Sequence, residues 1–244
     1  MFRPLSIISL FCFALFAGCS NIDDFNKDAG SPKKIERSLD HFTQISVGEK
    51  FYVSLKNDTN LPETIEIDYF EHLNAKISTT VENGILTIKD QNAYNWTRDL
   101  NVRPKLTINV HTLNNLDIQG ACELNCIDTI FTNQLTINMH SVKPAKIKVD
   151  CGNLYGGSNN LAPVFFEGRG TIFSWSCEQG SWIDASKLKC DDAYIRHFTK
   201  QDIYISPEKV LEVFIYNSGN VYYKPFTFNK FTVKELGSGK AILY

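Results

Sequence analysis

The feature that most constrains this chain is a repeat in its second half. Seven segments share one plan: an apolar-alternating strand, a turn of small or polar residues, then another strand. They begin at Leu116, Leu135, Leu154, Phe173, Ala193, Val213 and Phe231, and their turns centre on residues 120, 141, 158, 179, 199, 218 and 238. The steps between turns are 21, 17, 21, 20, 19 and 20 residues. A period near 20 made only of strands and turns is the signature of a β-solenoid. One such coil cannot bury its own inner face, so coils must stack and build a continuous core between them. The alternative is an up-and-down barrel or a sandwich with evenly spaced strands.

The same two-residue beat occupies the first half. Phe42–Val47, Phe51–Leu55, Thr64–Tyr69, Ile77–Val81, Ile85–Ile88 and Leu106–Val110 alternate β-branched or aromatic with polar residues, as half-buried strands do. Glu82-Asn83-Gly84-Ile85 is a hairpin turn, because Asn-Gly favours positive φ at both central positions. The one helical candidate, Phe70–Ala75, is short.

Composition closes off several classes. The 244 residues are 43% hydrophobic, 21% charged and 12% aromatic, which argues for a folded chain. A net charge of −2 argues against a nucleic-acid backbone as partner. Glycine, at 14 residues without a triplet period, excludes collagen.

The N-terminus reads as an address. Arg3 precedes an apolar run from Leu5 to Ala17, too short for a relaxed membrane span of about 20 residues and suited to a signal core. It ends Phe16-Ala17-Gly18-Cys19-Ser20, which resembles a bacterial lipoprotein cleavage site with Phe16 where Leu is preferred. The alternative is an ordinary secretory signal with an incidental Cys. The resemblance implies a signal over 1–18, acylation at Cys19 and a polar tether over 19–34. Ser20 resembles the outer-membrane sorting choice. Asn21-Ile-Asp-Asp-Phe25 weakly resembles a surface-export patch. The expectation is an outer-membrane lipoprotein, periplasmic or surface-exposed, with a β-rich region over 35–112 and solenoid repeats over 113–244, the whole of 35–244 forming one continuous unit.

The whole mature chain, Cys19–Tyr244, resembles the family of bacterial lipoproteins called "putative auto-transporter adhesin, head GIN domain". The match rests on Arg37 before Phe42-x-x-Ile45-x-Val47, then Val53-x-Leu55, Val81-x-x-Gly84-x-Leu86-x-Ile88 and Leu113-x-x-Leu116-x-Ile118-x-Gly120. The family's Gly-Ser-Gly turns survive at Ser218-Gly219-Asn220 and Gly237-Ser238-Gly239 and have drifted elsewhere. The resemblance implies an all-β, right-handed parallel β-helix of pectin-lyase-like shape, with about seven coils, no established enzymatic residues and an adhesive role.

Chemistry is sparse. Polysaccharide enzymes of this shape need converging carboxylates for Ca²⁺ or acid/base work. The candidates are Asp150, Glu167, Asp184, Asp191 and Asp192 with Arg169 and Arg196. Only Asp150 and Glu167 share an offset from their turns, so these two could stack on neighbouring coils; a solvated outer face is the favoured alternative. Cys122 and Cys126 share a strand face about 13 Å apart at about 3.3 Å per residue, too far for one zinc or a disulfide. His140 and His197 fall on non-adjacent coils. No catalytic residue, metal or cofactor is expected. Of Cys122, Cys126, Cys151, Cys177 and Cys190 at least one must be unpaired. Gly237-Ser-Gly-Lys240 fails as a phosphate loop, because Lys234 and Ala241 occupy required positions.

Aromatics remain. Trp175, Trp182 and Tyr223 flank turns and are the candidate ligand contacts, by stacking on flat apolar faces; core filling is the alternative. The expected partners are a bilayer through acylated Cys19, glycans or envelope proteins, with self-association through coil edges as a further possibility. A polysaccharide-active enzyme is the rival reading.

Overall fold

A computed structural model describes residues 28–48, 50–92, 102–225, 227 and 229–244. The signal, Cys19 and most of the tether lie outside the described residues. The described chain is all-β, with a single short helix, α1 (Glu71–Asn74). It winds into a parallel β-solenoid of about six turns.

The strands stack as three faces. On face B, β8 (Asn115–Gly120) pairs in parallel with the second half of β10 (Ile130–Ser141). The ladder then passes through the second halves of β11 (Ala145–Ser158), β12 (Pro163–Cys177), β13 (Trp182–His197) and β14 (Ile203–Ile215) to β16 (Lys230–Glu235). On face A, β9 (Glu123–Cys126) leads through the first residues of β11, β12, β13 and β14 to β15 (Val221–Tyr223) and β17 (Ala241–Leu243). Face C is made of mid-strand residues, such as Ile130, Val149 and Gly168.

The register corrects the coil count. Successive face-B partners are Asn115–Thr136, Leu135–Leu154, Asn153–Ile172, Ile172–Asp192, Asp192–Val210 and Leu211–Phe231, so the true offsets are 21, 19, 19, 20, 18 and 20. The seven sequence segments are seven face-B-to-face-A corners, and seven corners bound six turns.

Inward positions are mostly apolar, with Ser158 and His197 as buried polar exceptions on face B. Ile137, Leu154, Phe173, Ala193 and Leu211 line face B, and Ala145, Val164, Ile183, Ile203 and Val221 line face A, all essentially buried. The widest part of the core holds three rings. Phe166 meets Phe173 and Trp175 edge-on at centroid distances of 5.3 and 4.9 Å, and Phe173 stacks on Trp175 at 6.0 Å. Gly156 lies in register between Ile137 and Trp175. A Cβ there would lie 2.0 Å from the Ile137 carbonyl oxygen and 2.7 Å from the indole, so the glycine makes room for the tryptophan.

The N-terminal strands extend the same ladders. The coil β2 (Gln44–Val47) and β3 (Tyr52–Lys56) is inserted between β6 (Ile85–Asp90) with β7 (Lys105–Asn109) on one side and β8 with β9 on the other, all in parallel. Three antiparallel strands close this end. β5 (Ile77–Glu82) folds onto β6 through the Asn83-Gly84 turn, both residues at positive φ. β4 (Thr64–Phe70) lies on β7, and β1 (Pro32–Ser38) lies on β4. Residues 32–34 of the stretch expected as tether are therefore strand, because they pair with Phe70, Tyr69 and Asp68.

Candidate functional site

The five candidate carboxylates do not converge. Asp150 stands in register with Arg169, and Glu167 stands between Lys148 and Lys187. Asp150 and Glu167 do not stack, because the turns at 141 and 158 are 17 residues apart whereas the strands pair at an offset of 19. Asp184 faces Tyr204 across the ladder. Asp191 accepts an ion pair from Lys209 at 2.7 Å. Among the described residues, no three of His, Cys, Asp and Glu come together.

The thiols are structural. Cys122, Cys126, Cys151, Cys177 and Cys190 are all buried, and Cys122 Sγ donates to the Gly48 carbonyl at 3.2 Å. Burial pushes Cys126 and Cys151 up to about 11 and Cys177 and Cys190 up to about 12, so at neutral pH they are unreactive neutral thiols.

The three candidate aromatics fare differently. Trp175 is only 1% exposed, and its indole N–H donates to Ser158 Oγ at 3.2 Å, so it is a core residue and touches no ligand. Tyr223 also needs correction. Its register partners are Ile205, an inward residue, and Leu243, and its ring packs on the core and against Phe231 at 5.4 Å. Trp182 alone of the three is on an outward row, half-buried and edge-on to Phe165 at 5.4 Å.

The register shows a row that turn positions alone hid. On the outer side of face A, Lys146, Phe165, Asp184, Tyr204, Tyr222 and Ile242 are stacked neighbours on six successive coils. Adjacent strands lie about 4.8 Å apart, so the row spans roughly 24 Å along the axis. Tyr204 and Tyr222 stack with centroids 5.0 Å apart and planes 15° from parallel. Tyr244 closes edge-on against both, at 5.5 and 6.2 Å. Such offset and edge geometries are the favoured ones for aromatic pairs.

A bulge shapes one end of this row into a cleft. Between β13 and β14, Asp184 pairs with Tyr204 but the next partners are Lys189 and Ser206, so β13 carries the excess chain. The extra residues stand as a wall, held by Lys224 Nζ donating to the Ser186 carbonyl at 2.6 Å. In front of it is a cleft of about 430 Å³ lined by Lys146, Lys148, Phe165, Glu167, Asp184 and Lys187. A second aromatic strip lies on the neighbouring corner, where Phe198 stacks on Tyr216 at 4.3 Å and 8°.

Residues 41–225 match the family model described as "Putative auto-transporter adhesin, head GIN domain". The chain belongs to this family. None of the curated proteins matches it. Solved structures do. A "putative adhesin" from Bacteroides fragilis superposes with a TM-score of 0.81 at 18% identity, covering 88% of this chain and 97% of that one. A "putative adhesin" from Parabacteroides distasonis gives 0.65 at 14%, covering 88% and 98%. A "putative lipid binding protein" from the same species gives 0.59 at 16%, covering 87% and 97%. At these identities the likeness is one of fold.

The residues carrying the head GIN pattern have structural work. Arg37 crosses from β1 and donates to the carbonyls of Ile77 (2.6 Å) and Asn74 (2.9 Å) and to Thr79 Oγ1 (3.0 Å). Phe42 is fully buried. At the corners, Gly219 and Gly239 approach the backbone of the preceding coil too closely for a side chain. Where the head GIN turns have drifted to serine, a hydroxyl makes the coil-to-coil link instead: Ser141 Oγ donates to the Cys122 carbonyl at 2.6 Å and Ser181 Oγ to the Ser158 carbonyl at 2.8 Å.

Proposed function

We propose that this head GIN domain protein is a non-enzymatic binding module of the cell envelope, held to the outer membrane by acylated Cys19 and presenting the outer side of face A to its ligand. The stacked Tyr204–Tyr222 pair, closed by Tyr244 and continued by Phe165 and Trp182, carries this reading. Outward rings in register offer apolar surface with polar tips at little conformational cost, which suits sugars and partner proteins. The family and the similar structures described as adhesins support the same reading. The scattered carboxylates, one of them ion-paired, favour it over an enzyme of the same shape. Acyl chains contribute about 0.8 kcal/mol per buried methylene, so two or three anchor the module durably.

Two measurements test it. A glycan and matrix-protein array is probed with the protein and with the Tyr204→Ala/Tyr222→Ala variant. Ligands retained by the first and lost by the second are expected, and an unchanged profile overturns the assignment of the face. In cells, Cys19→Ala is expected to move the protein from the membrane to the soluble fraction. Unchanged membrane fractionation refutes the anchor.

A further inference from the structure

The cleft at the end of the aromatic row gathers three lysines around one recess. Three lysines of the later coils are matched to carboxylates of the chain itself. Lys209 pairs with Asp191 at 2.7 Å, Lys230 with Glu212 at 3.0 Å and Lys240 with Glu235 at 2.5 Å. Among the described residues, Lys146 and Lys187 form no ion pair, and Lys148 Nζ donates only to the Ile127 carbonyl at 3.3 Å. Of the two carboxylates in the cleft, Asp184 is turned to its own backbone and accepts the Ser186 N–H at 3.0 Å. Three ammonium groups and the two carboxylates of Glu167 and Asp184 therefore border a recess of about 430 Å³, an excess of one positive charge in a protein of net charge −2.

This recess also has an aromatic wall. Phe165 lines it, edge-on to Trp182, and the outward row continues from it through Asp184 to Tyr204 and Tyr222. Rings therefore recur along the row at multiples of the coil rise of about 4.8 Å, close to the length of one pyranose unit. A linear chain of sugar rings lying along the solenoid axis meets this row one unit per coil. Its acidic groups then fall against the lysines at one end.

Resting on the reading of face A as the binding face, we propose that its ligand is an anionic glycan running along Phe165 and the outer edges of the Tyr204–Tyr222 stack, with Lys146, Lys148 and Lys187 taking carboxylate or sulfate groups in the cleft. Lysine supplies this as a mobile point charge with three donors, tolerant of either group. In a partly enclosed recess each contact is stronger than on open surface and remains sensitive to salt.

The probe is a chondroitin sulfate oligosaccharide, which carries both acidic groups on one chain. The control is the same oligosaccharide after desulfation and methyl esterification, which keeps the rings and removes the charge. Equilibrium binding to the protein is expected to be at least about 10-fold tighter for the acidic form, as for one or two charge contacts, and to weaken as salt is raised. The Lys146→Gln/Lys187→Gln variant is expected to lose most of that difference, leave the neutral form's binding unchanged and keep the parent's melting temperature. Equal binding of the two forms overturns the charge assignment and leaves the aromatic face standing. Binding of the acidic form that Lys146→Gln/Lys187→Gln does not weaken places the anion elsewhere. No binding of either form overturns a glycan of this class as the ligand, whereas the array with Tyr204→Ala/Tyr222→Ala still judges the face.

Discussion

The two ends of this solenoid are built on opposite principles. At the N-terminal end the chain closes its own ladders. β1, β4 and β5 run antiparallel to the coils they cover, and Arg37 ties β1 to β5 and α1. Outward positions there are mostly polar, with ion pairs such as Lys33–Glu71 at 2.6 Å and Lys34–Glu66 at 2.9 Å. At the C-terminal end, no described strand covers β16 and β17, and the outward rows turn aromatic. Leu236 and Tyr244 are 61% and 45% exposed. An open edge is an aggregation hazard that lysines can blunt, and Lys230, Lys234 and Lys240 lie on or beside this one. One end is covered by its own antiparallel strands, and the other leaves a strand edge and rings exposed.

The largest expected effect comes from cutting the molecule between these regions. Trp175 is the largest of the fully buried side chains and packs in the coils that join the two ends. Trp175→Ala is expected to cost about 3–5 kcal/mol, as large aromatic truncations do, measured by denaturant unfolding. A loss below about 1 kcal/mol would mean that the central core is not packed as described.

Opening the closed end comes next. Arg37→Ala removes three donated hydrogen bonds and strips the Asn74 and Ile77 carbonyls of their partner. A loss of about 2–3 kcal/mol is expected, with faster amide exchange concentrated in β1 and β5. Uniform exchange along the chain would show that the cap is not a local unit.

Acid probes the other end. His197 is fully buried, and burial lowers its pKa below the usual 6.5, although Asp202 and the nearby Gln201 and Gly219 backbone act against this. The unfolded chain therefore takes up a proton first. Stability is intact above about pH 6.5 and falls as the pH drops below it, by at most about 1.4 kcal/mol per pH unit, until the folded ring protonates as well. The loss is expected to be smaller in His197→Gln. An identical pH profile in that variant would remove His197 from the account. The smallest effect is reserved for an exposed pair: Lys209→Ala is expected to leave the denaturant midpoint unchanged, because solvent screens its pairing with Asp191.

Much of this was legible in the sequence, and what was missed has one cause. Alternation gave the strands, the period gave the solenoid, and Asn83-Gly84 gave its hairpin. Turn chemistry, however, locates a corner only to within two residues, while a one-residue slip in register reverses the face of every side chain. That error stacked Asp150 on Glu167, where the ladder puts Arg169 beside Asp150. It also sent Tyr223 outward, where its ladder partner Ile205 is inward. Trp175 was ambiguous for a different reason. Strand alternation tells that a residue faces one side, and only the space left by Gly156 tells that this side holds an indole. The outward row from Phe165 to Tyr222 lay open in the sequence at offsets of 19, 20 and 18 residues. It needed the bulge in β13 to be counted before it lined up.

The central claim is that ligand contact belongs to one side of one end. Hydrogen exchange of the protein with and without the ligand selected on the array tests it most directly. The account predicts protection confined to residues 163–166, 182–187, 203–205 and 221–223, with β1, β4 and β5 unchanged. Protection centred on those N-terminal strands, with face A of the later coils unaffected, would contradict it.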